Sequence, residues 1–210
     1  MCRIGSVAWL AVVVVLGVTP PAHAVDRDGA AGYADAHWDT RTAVYPGFDD
    51  DCTNFVSQAE HEGGGIRFRP PPVAIVGSYS STAYWFAQHT IAGSGWTTAW
   101  SVAQDNATFM QRMPRGRLTV VTHSHEGSYP PVGYRSKADL VYYDWDGDGR
   151  INHASIIVGS GADAAHPGIV GTWVDQHTTD RKHAIWNLKP YNSREQTTNY
   201  YVEYVDTDAR

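Results

Sequence analysis

The sequence predicts an α+β fold, in which a group of helices comes first and a run of short strands follows. Helical patterns dominate residues 26–113, and six short strand patterns occupy residues 118–205. The chain also contains 12 tyrosines, 8 tryptophans and many valines, whereas leucine is scarce. Aromatic and β-branched residues favour strands. Helices followed by strands indicate one α+β domain with a mostly antiparallel sheet.

The composition indicates a folded, acidic protein. Of the 210 residues, 42% are hydrophobic and 18% are charged, and the formal net charge is −6. This balance is too apolar for a disordered chain. Because the chain is acidic and has no run of lysine or arginine, we expect it to bind neither nucleic acid nor an anionic membrane.

Residues 1–24 have the layout of a secretory signal peptide. The N-terminal region carries the positive charge of Arg3 and is followed by an apolar run over 4–18. Two prolines come next, and then Ala22-His23-Ala24, which fits a cleavage site. The apolar run has about 15 residues, fewer than the ~20 that span a bilayer. We therefore expect cleavage after Ala24, a secreted domain over 25–210, and no membrane association after cleavage.

Four helices are expected in the first half of this domain. The first spans 26–38, where small and aromatic residues recur at helical spacing. The second begins near Cys52, after three aspartates, and ends at the glycines 63–65. Two more are expected over 80–89 and 97–113, joined by a glycine-rich connection at 93–96.

The second half is expected to form the sheet. Alternating or continuous apolar runs bounded by turn residues predict six strands, at 118–122, 138–145, 153–159, 169–178, 183–188 and 199–205. The sequence contains no internal repeat and no linker long enough to divide the domain.

Cys52 is the candidate nucleophile. Cleavage of the signal peptide removes Cys2, so Cys52 is the one thiol of the secreted chain and cannot form an internal disulfide. At the first turn of a helix, the backbone N–H groups and the helix dipole stabilise a thiolate and an oxyanion. The aspartates before Cys52 oppose ionisation, so an imidazolium partner is needed. A buried structural cysteine is the alternative.

His153 is the candidate general base, because it stands where a polar turn enters an apolar strand. Its separation from Cys52 is typical of a pair that the fold brings together. A third group should hold the imidazole by accepting a hydrogen bond from its other nitrogen. Asp175 and His177 share one face of the next strand, whereas Gln176 points away. One of the first two is predicted to orient the base.

These motifs resemble those of the bacterial putative amidase domain family, which is related to papain-like cysteine hydrolases of the NlpC and CHAP kind. The similarity runs through nearly the whole domain in one order. It comprises Tyr33-Ala34-Asp35, Asp51-Cys52-Thr53-Asn54-Phe55-Val56-Ser57-Gln58 with Gly63-Gly64, Ser94-Gly95-Trp96-Thr97, Tyr143-Asp144-Trp145, Gly147-Asp148-Gly149, the His153 strand and His177-Thr178.

The resemblance implies a papain-like fold with the cysteine-bearing helix packed on the sheet. It implies amide-bond hydrolysis with Cys52 as nucleophile and His153 as base, and it favours His177 as the orienting residue. The implied substrate is a peptide, such as a peptide of peptidoglycan. No cofactor is required by this chemistry.

A loop of aspartates and glycines over 144–152 could bind calcium. Asp144, Asp146 and Asp148 stand at the first, third and fifth positions of a calcium loop, with glycine at the sixth. The twelfth position holds Ser155 where such loops have glutamate, and the flanking segments are predicted strands. A plain turn is the alternative, because these residues also dominate turns. The segment 123–126 has histidines but no convincing spacing for zinc.

Two functions from different classes follow from the sequence. The first is a secreted cysteine amidase or peptidase, and the second is a non-catalytic module that binds cell wall or carbohydrate and has a structural cysteine.

Overall fold

The structure has the predicted α+β architecture, with helices packed against one large antiparallel sheet. It is a computed structural model that describes residues 24–113, 116–121, 127–130, 133, 135–194 and 196–205. The predicted signal peptide, apart from Ala24, and the histidine segment 123–126 lie outside the described residues. No helix among the described residues is long and apolar enough to cross a membrane.

Among the described residues, the helical part has four α-helices and a π-helical turn. These are α1 (Arg27–His37), α2 (Cys52–Gln58), the π-helical turn (Ala59–Gly63) that continues α2, α3 (Thr98–Ser101) and α4 (Ala103–Met110). The side chain of Asp26 caps α1 by accepting a hydrogen bond from the Gly29 backbone N–H at 2.8 Å. Gly29 and Gly63 let α1 and the π-helical turn pack closely, because a Cβ on Gly29 would lie 2.3 Å from the Gly63 carbonyl oxygen.

In the part of the chain that the structure describes, nine strands form two sheets. They are β1 (Gly77–Tyr79), β2 (Ala87–Thr90), β3 (Gly93–Thr97), β4 (Arg117–Val121), β5 (Leu140–Asp144), β6 (His153–Ala162), β7 (Val170–Gln176), β8 (Arg181–Ile185) and β9 (Asn199–Tyr204). The large sheet has the order β4-β9-β5-β6-β7-β8, and all its neighbouring strands are antiparallel. The small sheet has the order β1-β3-β2.

The central strands of the large sheet are buried on both faces. On one face, residues such as Tyr142 and Ile156 pack with the helices in the main core. On the other, Tyr143 and Ile157 pack against the segment after β8, which includes Trp186. Because both faces of β5 are buried, its sequence is a continuous apolar run and does not alternate between apolar and polar residues.

The sequence-based prediction was wrong in the middle of the chain. Residues 80–89 do not form a helix, because Trp85 pairs with Arg69 through two backbone hydrogen bonds of 2.8 and 2.9 Å and the chain then enters β2. The glycine-rich connection is strand β3, where Gly95 allows close approach to the Ile75 carbonyl oxygen. The helix predicted over 97–113 is divided at Val102, whose backbone is extended.

Glu60 is a buried acid in the π-helical turn. Its side chain is fully buried, and neither carboxylate oxygen has a hydrogen-bond partner among the described residues. Burial raises its pKa well above the usual 4.5, although the charge of Arg27 acts in the opposite direction. Glu60 is therefore protonated in the folded protein at pH values where it is ionised in the unfolded chain.

We expect the free energy of unfolding to fall less with rising pH in Glu60→Gln than in the native protein. Because the folded-state pKa is raised, the contribution of Glu60 to stability is fully present below the unfolded pKa and is lost as the pH rises toward the folded pKa. The measurement is urea unfolding at pH 4 and pH 8. From pH 4 to pH 8, the free energy of unfolding of the variant should increase by at least about 1 kcal/mol relative to that of the native protein. An equal loss with pH in both proteins would contradict the assignment.

Candidate active site

Cys52 begins α2, and the helix is almost entirely buried. Every residue of α2 is buried, and the cysteine itself is 5% exposed. The polar side chains of α2 are satisfied within the protein: Asn54 accepts a hydrogen bond from the indole of Trp100 at 2.6 Å, and Ser57 donates to the Trp100 carbonyl at 3.0 Å. The helix is thus held rigidly at the point where it presents the sulfur.

His153 is the first residue of β6, and its imidazole lies close enough to the Cys52 sulfur to shift the pKa of the thiol. The Thr53 hydroxyl lies 3.6 Å from this sulfur, and the backbone of Ala154 is also near it. The imidazole is 5% exposed and stacks on Trp145, with ring centroids 5.5 Å apart. The structure therefore brings the two predicted reactive residues close together.

The electrostatics of this pair favour a thiolate and an imidazolium. Burial alone raises the pKa of Cys52, but the charge and hydrogen bond of His153, with the donors of Thr53 and Ala154, lower it below its ordinary 9.0. Burial alone lowers the pKa of His153, but the negative charge of Cys52 and hydrogen bonds to Cys52 and Gln176 raise it above 6.5. Each group stabilises the charged form of the other, which is the arrangement that activates a cysteine nucleophile.

Gln176 is the residue that holds the imidazole. Its Oε1 lies 3.0 Å from His153 Nε2, while its Nε2 donates to the Thr179 carbonyl at 2.8 Å. The second hydrogen bond fixes the orientation of the amide, so the oxygen faces the histidine. Nε2 of His153 is thereby the donor in this contact, and Nδ1 is left for the sulfur.

The prediction that Asp175 or His177 orients the base was wrong, and the register of β6 and β7 explains why. Ile156 of β6 pairs with Asp175 of β7, and Ile157 pairs with Val174. In an antiparallel pair with this register, the next residue pair is Ser155 with Gln176. Residues 153 and 155 share a face, which is therefore the face of Gln176. The alternation along β7 was predicted correctly, but the sequence does not reveal which of its faces meets His153.

His177 and Asp51 hold the start of α2 instead. His177 Nδ1 lies 2.6 Å from Asp51 Oδ2, and its Nε2 lies 2.8 Å from the His37 carbonyl oxygen. Asp51 also accepts hydrogen bonds from Arg41 at 3.0 Å and from the Asn54 side chain at 2.8 Å. This buried network fixes the residue that precedes Cys52. Sequence reasoning assigned no such role to Asp51 and Arg41, because it used the aspartates before Cys52 as a helix-start signal, as part of the family motif and as a source of repulsion.

Asp175 lies on the opposite face of β7 from His153 and belongs to a separate cluster. Its Oδ1 accepts a hydrogen bond from the His183 backbone N–H at 2.7 Å. Burial, with the nearby carboxylate of Asp35, raises the pKa of Asp175 to about 7.

A cleft of about 320 Å³ opens beside His153. His153 and Gln176 contribute to its lining, with aromatic, basic and polar side chains that include Trp145, Thr178, Arg181, Tyr191 and Arg194. The guanidinium of Arg181 lies over the ring of Tyr191 at 4.6 Å from its centroid, within the about 6 Å of a cation–π contact. A polar substrate can therefore meet aromatic and cationic groups next to the imidazole.

The aspartate loop is built as a turn. Asp144 is fully buried and accepts hydrogen bonds from the backbone N–H groups of residues 147, 148 and 149. Asp146 forms an ion pair with Arg194 at 2.6 Å, and Asp148 accepts from the Arg150 N–H. Each of the three carboxylates has a different partner, and they do not form a metal-binding group among the described residues. Calcium binding by this loop stays a prediction.

We expect Cys52 to react with iodoacetamide in a pH range set by its contact with His153. In the native protein the midpoint of the rise in rate should lie below pH 9, because the pKa of the thiol is lowered from its ordinary 9.0. His153→Ala should shift the rise to higher pH, since burial then raises the pKa without an opposing charge. Gln176→Ala should have a smaller effect in the same direction.

The measurement is the alkylation rate against pH, followed by intact mass. His89→Ala is the matched control, because His89 is exposed on β2 and contacts Ser94 in the small sheet, so its loss should leave the profile unchanged. Identical profiles for the native protein and His153→Ala would rule out the ion pair.

Comparison with known proteins assigns the family. The family model described as "Putative amidase domain" matches residues 24–202. "Uncharacterized protein YhbB" of Bacillus subtilis (strain 168) is 34% identical over 134 residues, which are 63% of this chain and 37% of that protein. The chain thus spans little more than a third of this relative's length. No solved structure matches significantly. Since the family match covers most of the sequence, the chain belongs to the putative amidase domain family, whose description indicates hydrolysis of C–N bonds.

Proposed function

We propose that this protein is a secreted cysteine amidase that hydrolyses amide bonds in peptides, with a papain-like arrangement of nucleophile and base. The observation that carries the proposal is the buried contact between Cys52 and His153, in which each group favours the charged form of the other. The amidase description of the family agrees with this chemistry. Secretion is supported by the sequence of residues 1–24.

In the first half of the proposed reaction, the Cys52 thiolate attacks the amide carbonyl carbon and forms a tetrahedral intermediate. His153, as the imidazolium, gives its proton to the amide nitrogen as the C–N bond breaks. The amine leaves, and the acyl group remains on Cys52 as a thioester.

In the second half, neutral His153 removes a proton from a water molecule that attacks the thioester carbonyl. The C–S bond then breaks, which releases the carboxylic acid and restores the thiolate beside the imidazolium. Gln176 keeps the ring in one orientation in both halves through its contact with Nε2. It is a positioning residue, because its side chain acts through His153.

The cleft beside His153 supports a peptide substrate. Its aromatic and polar lining suits an extended polar chain, and Arg181 and Arg194 favour a substrate that carries a carboxylate. Peptides of the bacterial cell wall are amides rich in carboxylates, so they are the substrate class we propose to test first.

We expect Cys52→Ala and His153→Ala each to lower hydrolysis by at least about 10³-fold, since a nucleophile and its base act as a unit. The measurement is the release of new amino and carboxyl groups from peptidoglycan and from acyl peptides, followed by mass spectrometry. Gln176→Ala should cost less than either change, and its loss should appear mainly in kcat.

His89→Ala again serves as the control and should keep full activity. Wild-type turnover in Cys52→Ala would overturn the cysteine mechanism. If the native protein binds cell wall or carbohydrate and cleaves no amide bond, the non-catalytic module predicted from the sequence would replace the enzyme.

A further inference from the structure

We propose that Asp35, Asp175 and His183 form a binding site for a divalent cation of the zinc class. The three residues come from α1, β7 and β8, and one potential ligand atom of each lies within 4.8 Å of those of the other two. Two carboxylate oxygens and one imidazole nitrogen are a donor set that suits Zn²⁺ with a water in the fourth position. The site is separate from the amide-hydrolysing site and does not depend on that function.

A second observation that points to a ligand is the unpartnered oxygen of Asp175. The residue is fully buried, and its Oδ2 has no hydrogen-bond donor among the described residues, although Oδ1 accepts from the His183 N–H. The carboxyl groups of Asp175 and Asp35 lie close together, so a buried acidic group meets a partly exposed one. A cation between them would satisfy the orphan oxygen and remove the repulsion.

His183 is held in the orientation that a ligand needs. Its ring stacks on Trp173, with centroids 4.2 Å apart and planes inclined by 3°, and its Nε2 lies 2.7 Å from Asp35 Oδ1. Its backbone has φ of 52°, a conformation that few residues other than glycine adopt. Asp35 and His183 keep 38% and 28% of their side-chain surface exposed, so an ion can enter from solvent.

Lys182 is the group that would compete with the cation. Its Nζ lies 3.4 Å from Asp35 Oδ1 and donates to the Asp35 carbonyl at 2.9 Å. The ammonium of Lys182 contacts Asp35, and Oδ2 of Asp175 still has no hydrogen-bond partner among the described residues. A bound cation would tie α1 to β7 and β8, next in the chain to Gln176.

The proposal is tested by calorimetric titration of ZnCl₂ into the full secreted chain, purified without an affinity tag. Cys52→Ser is the background for all variants, because the Cys52 and His153 pair could itself bind zinc. We expect one Zn²⁺ per chain and, at 100-fold excess over the Kd, a rise in Tm of at least about 5 °C. Asp35→Asn and His183→Gln should each weaken binding by at least about tenfold.

Two controls keep the proposal falsifiable. His166→Gln removes the histidine of a different aspartate–histidine pair and should leave the Kd unchanged. Lys182→Gln should tighten binding because a competing positive charge is lost, and a misfolded variant cannot produce this gain. Absence of Zn²⁺ binding, a Kd unaffected by Asp35→Asn and His183→Gln, or weaker binding in Lys182→Gln would overturn the site.

Discussion

The electrostatic pairing of Cys52 with His153 is the interaction on which the rest of the site depends. Both groups are buried, and burial opposes an isolated charge on either of them. Because the opposite charge is adjacent, each pKa moves toward the ionised pair. Low solvent access, which would make a lone cysteine inert, here strengthens the attraction that activates it.

Two hydrogen-bonded networks keep these two groups in contact. On the helix side, Asp51 is fixed by His177, Arg41 and Asn54, so the first turn of α2 cannot shift away from the sheet. On the sheet side, Gln176 holds the imidazole through an amide whose other end is fixed by the Thr179 carbonyl. The site is thus positioned by residues that do not themselves touch the sulfur.

The sequence predicted the fold class, and it singled out Cys52 and His153, which the structure brings close together, because both inferences depend on local patterns. The helix from Cys52, bounded by aspartates and glycines, and the apolar strand from His153 were both apparent from residue order. The orienting residue was not, because it depends on strand register: alternation separates Gln176 from Asp175 and His177 but does not say which set faces His153. The helix predicted over 80–89 failed for a similar reason, since the pairing of Trp85 with distant Arg69 overrides the local pattern.

The most direct test of this account is the pKa of His153 by NMR titration in the native protein and in Cys52→Ser. The serine keeps the size of the side chain but is not ionised at these pH values. The account predicts that the His153 pKa is at least about one pH unit lower in Cys52→Ser, because burial then acts without a thiolate to oppose it. An equal pKa in the two proteins would contradict the ion pair and with it the activation of Cys52.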